Sequence, residues 1–172
     1  MGKDTKLHKA CHQGEFPVVK EEVETNAADV NAPGAQERTP LHRAVGINHT
    51  EIAKYLVEKG ADINKTDKSG RHTLHWAVMA GHAEMAVWIL ELGADVNVVT
   101  KSGMSALMCA ADSNRLDCAK ILIAKECDQT LKNADEKTAL DLASANKEAK
   151  DLTKLLKTGK LADGDSKACV VM

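Results

Sequence analysis

Aromatic side chains are nearly missing from this chain: one Phe, one Tyr and two Trp, 2% of 172 residues. Sandwich and barrel cores draw on aromatic and β-branched residues, so their scarcity points to close-packed helices lined with Ala, Leu, Ile, Val and Met. Long apolar runs are missing too. The densest, AVWIL at residues 86–90, falls far short of the ~18 residues a membrane span needs. The opening MGKDTK carries no apolar stretch of the kind that directs secretion, so none is expected. Gly2 invites a myristoylation reading, but Lys6 stands where that motif has Ser or Thr. Neither sign of charge dominates: the net charge is -2, which gives no global field to recruit nucleic acid. The five cysteines (Cys11, Cys109, Cys118, Cys127, Cys169) form no CxxC pair. An odd count without a secretory signal is expected of reduced thiols in a reducing compartment.

Catalytic signatures are also wanting. The chain has no P-loop, GxGxxG, HExxH, GxSxG or kinase motif. The neighbouring carboxylates Glu21 and Glu22 fall on a solvated helix and cannot flank a substrate. Neither an enzyme nor a cofactor is expected. His8, Cys11 and His12, at i, i+3 and i+4, could hold zinc on one helix face. Packing is the expected role instead, because His8 and Cys11 occupy positions of a repeat.

That repeat is the dominant positive signal. TPLHRAV begins at Thr39, HTLHWAV at His72, SALMCAA at Ser105 and TALDLAS at Thr138, in steps of 33 residues. The second halves keep register: GADIN from Gly60, GADVN from Gly93 and a decayed ECDQT from Glu126. An earlier copy, TKLH from Thr5 with AADVN from Ala27, carries one extra residue. Thr39, Ser105 and Thr138 suit a helix N-cap, and Pro40 suits the first helical position. Leu41, Ala44 and Val45 then form one apolar helix face, as do Leu74, Ala77 and Val78. A second helix is predicted from about Glu51 to Lys59, with Ile52, Leu56 and Val57 inward. Gly60 and Gly93 sit just past a helix end, where a left-handed residue is wanted. Asp67–Gly70 supplies the chemistry of a turn. A short helix pair cannot bury both faces alone, so the units must stack into a solenoid.

These motifs and their period strongly resemble the ankyrin repeat family, from about Thr5 to Gly159. The resemblance implies an all-α, ankyrin-type solenoid of helix-turn-helix repeats with short β-hairpin tips. Its expected units are an N-terminal cap (residues 1–34), repeats at 35–67, 68–100 and 101–133, a C-terminal cap (134–160) and a tail (161–172). It also implies that His42 and His75 hydrogen-bond backbone across repeats. Cys109, Cys118 and Cys127 read as small packing residues, and Trp88, sharing its register with Tyr55 and Ile121, as part of a seam between second helices. The fourth copy departs from the pattern, with Met108 for the His, Glu126 for the Gly and Thr130 for the Asn.

Members of this family bind protein partners on a concave face of tips and first helices. In this register that face holds Ala35, Gln36, Arg38 and Ile47, then Lys68, Ser69, Arg71 and Met79, then Lys101, Ser102, Met104 and Asp112. Arg38, Lys68, Arg71 and Lys101 form a basic run, while Ile47, Met79 and Met104 offer adaptable apolar contact. The competing reading is an ordinary solvated surface with scattered apolar residues.

The chain closes on Cys169-Val170-Val171-Met172, which matches a C-a-a-X prenylation box with farnesyl favoured by Met. A single lipid holds a membrane weakly. Lys147, Lys150, Lys154 and Lys157 are expected to share one face of a terminal helix and could meet an anionic leaflet. The function expected is a non-enzymatic, monomeric adaptor, cytoplasmic and lipid-anchored at Cys169, with a protein partner on its concave face and no nucleic acid. The alternative is a soluble inhibitor or assembly factor of the same fold whose tail has no role.

Overall fold

The structure is a computed structural model that describes residues 2–158. Among them ten α-helices run in antiparallel pairs: α1 (Lys6–Gln13) with α2 (Phe16–Glu24), α3 (Pro40–Gly46) with α4 (Thr50–Glu58), α5 (Thr73–Ala80) with α6 (Ala83–Glu91), α7 (Ala106–Asp112) with α8 (Leu116–Ala124), and α9 (Ala139–Ala145) with α10 (Lys150–Thr158). The first helices stack in chain order, α1 on α3, α3 on α5, α5 on α7 and α7 on α9. The second helices form an outer layer in which α6 packs on α8 and α8 on α10. This is an all-α repeat solenoid. The predicted second helix lies one residue earlier than expected, at Thr50–Glu58.

Four of the five first helices start with a capping box. The hydroxyl of Thr39 accepts the His42 N–H, and His42 Nδ1 accepts the Thr39 N–H at 3.0 Å, a reciprocal box that satisfies two orphan donors. Thr5 with His8 and Thr138 with Asp141 repeat the arrangement. In the fourth copy Ser105 accepts the Met108 N–H, but Met108 has nothing to return.

The repeating apolar positions fill one continuous core, in which Leu7, Leu41, Leu74 and Leu107 are fully buried at corresponding positions. Tyr55 and Ile121 are buried and Trp88 half-buried on the second helices. Cys109, Cys118 and Cys127 are buried free thiols, as is Cys11. Burial pushes Cys11 and Cys109 up to about 12, and Cys118 and Cys127 to about 11, so these thiols stay protonated.

Side chains tie each unit to the next. His75 Nε2 donates to the Met104 carbonyl at 3.0 Å, and His8 Nε2 to the carbonyls of Ala32 and Arg38. His8 thus spends both ring nitrogens on capping and inter-repeat bonds, which leaves none for zinc. His42 departs from expectation: it lies near the Lys65 backbone, but its buried Nε2 reaches no acceptor. A second row of bonds went unforeseen. At the start of three second helices, His49 reaches back to the His12 carbonyl, His82 to Gly46 and Arg115 to Met79.

The tips are less regular than hairpins. Only isolated bridges form, Thr66 with His72 and Val99 with Ser105, and the first tip is a 3-10 turn at Ala35–Glu37. Both Gln36 and Glu37 there have positive φ (60° and 59°), which removes the extended backbone a strand needs.

Candidate functional site

The tips are joined edge to edge by backbone bonds that shape one wall of the concave face. The Lys68 N–H donates to the Gln36 carbonyl, Lys101 to Ser69, and Ala134 to Ser102. At the first tip the Asp4 carboxylate takes the place of a neighbouring tip carbonyl, accepting the Ala35 N–H at 2.8 Å. Its other oxygen pairs with Arg43 Nη2 at 2.7 Å. Burial alone would raise the Asp4 pKa, but the Ala35 and Arg43 bonds outweigh it and hold the carboxyl below its ordinary value.

Within the second tip, Asp67 is the organiser. Its Oδ1 accepts the N–H groups of Ser69 and Arg71, and its Oδ2 accepts Arg71 Nε at 2.8 Å. Here too burial acts to raise the pKa, and the hydrogen bonds from Arg71 and Ser69 overcome it, so Asp67 is held ionised. Arg71 is thereby oriented from its base, while among the described residues no acceptor takes its terminal nitrogens.

Two cations lie over Trp76, on α5. The Arg38 guanidinium sits 4.5 Å from the ring centroid and that of Arg71 4.6 Å, distances at which the indole quadrupole attracts charge. The missing Cβ of Gly46 makes room, since one built there would meet the Trp76 ring at 3.3 Å. His42 adds a tilted ring contact at 6.4 Å. Arg38 differs from its neighbours: Arg43 pairs with Asp4 and Arg71 with Asp67, but Arg38 makes no ion pair among the described residues. Burial, then the charges of Arg43 and Arg71, lower its pKa.

Next to this stack is a hollow of about 270 Å³, where Arg71, Met79 and Met104 meet with Cys109 and Asp112 on its wall. The structure therefore brings six of the candidate concave residues, Ser69, Arg71, Met79, Ser102, Met104 and Asp112, around one space and sets Arg38 against the same Trp76 ring that Arg71 touches. Lys68 and Lys101 are exposed on successive tips, with Lys101 Nζ donating to the Lys68 carbonyl at 2.8 Å. Ile47, 46% exposed at the end of α3, does not line the hollow. Trp76, Arg43 and Asp4 were missed as members of this face. The available signal was the register: Trp76 and Arg43 share the first-helix position that Cys109 holds in the fourth copy, and a Trp there is conspicuous in a chain with two.

The basic stripe needs a correction. Lys150, Lys154 and Lys157 are exposed along α10, but that helix begins at Lys150, so Lys147 lies in the preceding turn. Asn146 caps that turn instead, its side-chain oxygen accepting the Glu148 N–H at 3.0 Å, a local bond that competes with continuing a helix. Cys169 and the C-a-a-X residues lie outside the described residues. No described helix is long and apolar enough to cross a membrane.

Known proteins carry the same repeats. A family model described as ankyrin repeats (3 copies) matches residues 2–67 and 74–167, and a second, ankyrin repeats (many copies), matches residues 48–90. The chain is similar to alpha-latrocrustotoxin-Lt1a of Latrodectus tredecimguttatus, 39% identical over 57 residues, covering 33% of this chain and 4% of the toxin. It is also similar to human ankyrin repeat domain-containing protein 7, 37% identical over 54 residues, or 31% of this chain and 21% of that protein. Both likenesses span a minor part of the relative. With the capping boxes, stacked helix pairs and linked tips in place, and a family model matching nearly the whole length, the chain belongs to the ankyrin repeat family.

Proposed function

We propose that this chain is a non-enzymatic adaptor that takes a protein partner on its concave face and is held at a cytoplasmic membrane surface by a prenyl group on Cys169. Ankyrin repeats are protein-interaction modules, which supports the first half in general terms. The observation that carries it to this face is the convergence of Arg71, Met79 and Met104 on one hollow beside Trp76. Arg, Met and aromatic residues are what interface cores enrich. A photo-crosslinking residue in place of Ile47 or Lys68 should capture the partner in cells, and one in place of Lys54 on α4 should not. Equal capture from both faces would refute the concave assignment.

The anchor rests on the sequence: Cys169-Val170-Val171-Met172 directs prenylation where Met172 is the last residue in the cell. Lys150, Lys154 and Lys157 supply the second, electrostatic contact that a single lipid requires. Intact mass after expression in a eukaryotic cell should show a farnesyl group and loss of Val-Val-Met, both abolished in Cys169→Ser. Unmodified wild-type protein would remove the anchor and leave the adaptor reading standing.

A further inference from the structure

We infer that the Arg38–Trp76–Arg71 stack receives the carboxylates of an extended acidic segment of the partner protein, with an apolar side chain of that segment seated in the Met79–Met104 hollow. The inference rests on the concave-face reading and adds the chemistry of what binds there.

Charge is the first ground. Three arginines gather at this end of the face, and the chain supplies carboxylates for two: Asp4 for Arg43 and Asp67 for Arg71. Among the described residues Arg38 has none, and the adjacent exposed Lys68 and Lys101 make no ion pair. Arg38 lies over the ring that Arg71 also touches, and burial first, then the charges of Arg43 and Arg71, disfavour its charged form, so an incoming anion relieves repulsion as well as gaining attraction.

Preorganisation is the second. Arg38 is laid against Trp76, and Arg71 is fixed by both Trp76 and the Asp67 carboxylate, so two forked donors stand in place before a ligand arrives. Less side-chain entropy is then lost on binding. Both guanidiniums lie over one ring, 4.5 and 4.6 Å from its centroid, so they are at most about 9 Å apart, a span that carboxylates two or three residues apart can cover on an extended strand, which advances ~3.3 Å per residue. The chain already shows this mode of recognition at its own end, where Asp4 is held by one arginine and one tip N–H.

The hollow decides the class of anion. Met79 and Met104 present apolar, adaptable surface directly beside Arg71, and Asp112 lies on the same wall. A polyphosphate backbone carries no apolar group to seat there, and Asp112 turns that wall against any anion, so the hollow takes an apolar side chain while the carboxylates stay at the arginines. An acidic peptide with an interspersed Leu or Met satisfies both features.

The test uses the full chain carrying Trp88→Phe, so that Trp76 is the only indole and reports on its own stack. The probe is an acetylated, amidated peptide of repeated Glu-Glu-Leu units. Its expected effect is a saturable change in Trp76 fluorescence whose midpoint rises with salt. Arg38→Gln should weaken binding about tenfold, and Met79→Lys should weaken it as well. Circular dichroism checks that each variant is folded; should Arg38→Gln fail that check, Arg38→Lys, which keeps the charge but loses the fork, takes its place with the same expected weakening. A Ser-Ser-Leu peptide should give no change. Absence of saturable binding, unaltered binding by the folded Arg38 variant, or tighter binding of a single-stranded oligonucleotide would each overturn the inference. If crosslinks from Ile47 and Lys68 still capture the partner and excess acidic peptide does not compete, the carboxylate chemistry falls while the concave face stands. If those crosslinks fail as well, both readings fall together.

Discussion

The third and fourth repeats are cut to one plan, and only the third keeps all of it. In the third, His75 closes the capping bond at His72 and donates across to Met104, and Gly93 at φ 89° ends the second helix without strain. In the fourth, Met108 fills the histidine's place and is equally buried, but it bonds to nothing beyond its helix. Glu126 adopts the left-handed conformation at φ 57° that glycine would take freely. Thr130 turns its hydroxyl to Asp128 in the same unit, whereas Asn97 of the third repeat accepts the Asp128 N–H across the boundary. Apolar burial is the same in both, with Leu74 and Leu107, Ala77 and Ala110 all in the core. The contrast teaches that apolar burial holds the stack together, while the polar rungs set how strongly each unit couples to the next.

The largest way to test that contrast is acid. His42 and His75 are buried and neutral, each with its pKa lowered to about 4 chiefly by burial. The unfolded chain takes up protons on both below its ordinary value near 6.5, so their stabilisation is complete above about that pH and lost as pH falls toward 4. Between about pH 7 and about pH 4.5 each should account for about 2 to 3 kcal/mol of lost stability. Ion-paired carboxylates such as Asp4 and Asp67 are lost only below that window. Urea unfolding at several pH values checks this, and His75→Gln should flatten the profile. A pH-independent midpoint in the wild type would show that the rungs do not depend on neutral histidine.

A smaller effect is expected at the first tip, where a side chain accepts the bond that a tip carbonyl accepts elsewhere. Asp4→Ala leaves the Ala35 N–H and the half-buried Arg43 without an acceptor. A loss of about 2 kcal/mol is expected, with faster amide exchange at Ala35 before any change in the third or fourth repeat. Unchanged stability would mean that water replaces the carboxylate.

The smallest effect sharpens the comparison most directly. Glu126→Gly should stabilise by up to about 1 kcal/mol, and Gly60→Ala, at φ 89°, should destabilise by a similar amount. Hydrogen exchange in the wild type should show weaker protection from Ser105 to Leu156 than from Leu41 to Leu90. Glu126→Gly should narrow that gap; equal protection in both halves of the wild type would undo the contrast.

Much of this molecule could be read before its structure. The period of 33 placed the helix pairs, Thr39-Pro40 and Thr138 marked helix starts, and Leu41, Ala44 and Val45 marked the inward face, because these depend on chain neighbours and helical spacing. The glycine-dependent helix ends were legible for the same reason, including the misfit at Glu126. The terminal helix was overextended by a turn, since the lysine spacing carried no sign that Asn146 would cap a turn at Glu148.

What the sequence by itself determined is the unit: two helices, a tip, and an apolar face that demands stacking. Tertiary structure alone decided how units meet. Asp4 completes a ladder of tip bonds to Ala35, Trp76 comes to rest against both Arg38 and Arg71, and His75 finds its acceptor while His42 does not. Asp4 to Ala35, Trp76 to Arg38 and His75 to Met104 each join residues from different units, where outcome depends on ångström-scale differences in how one helix pair sits on the next. Identical motifs therefore reach different partners, and a linear pattern carries no record of which.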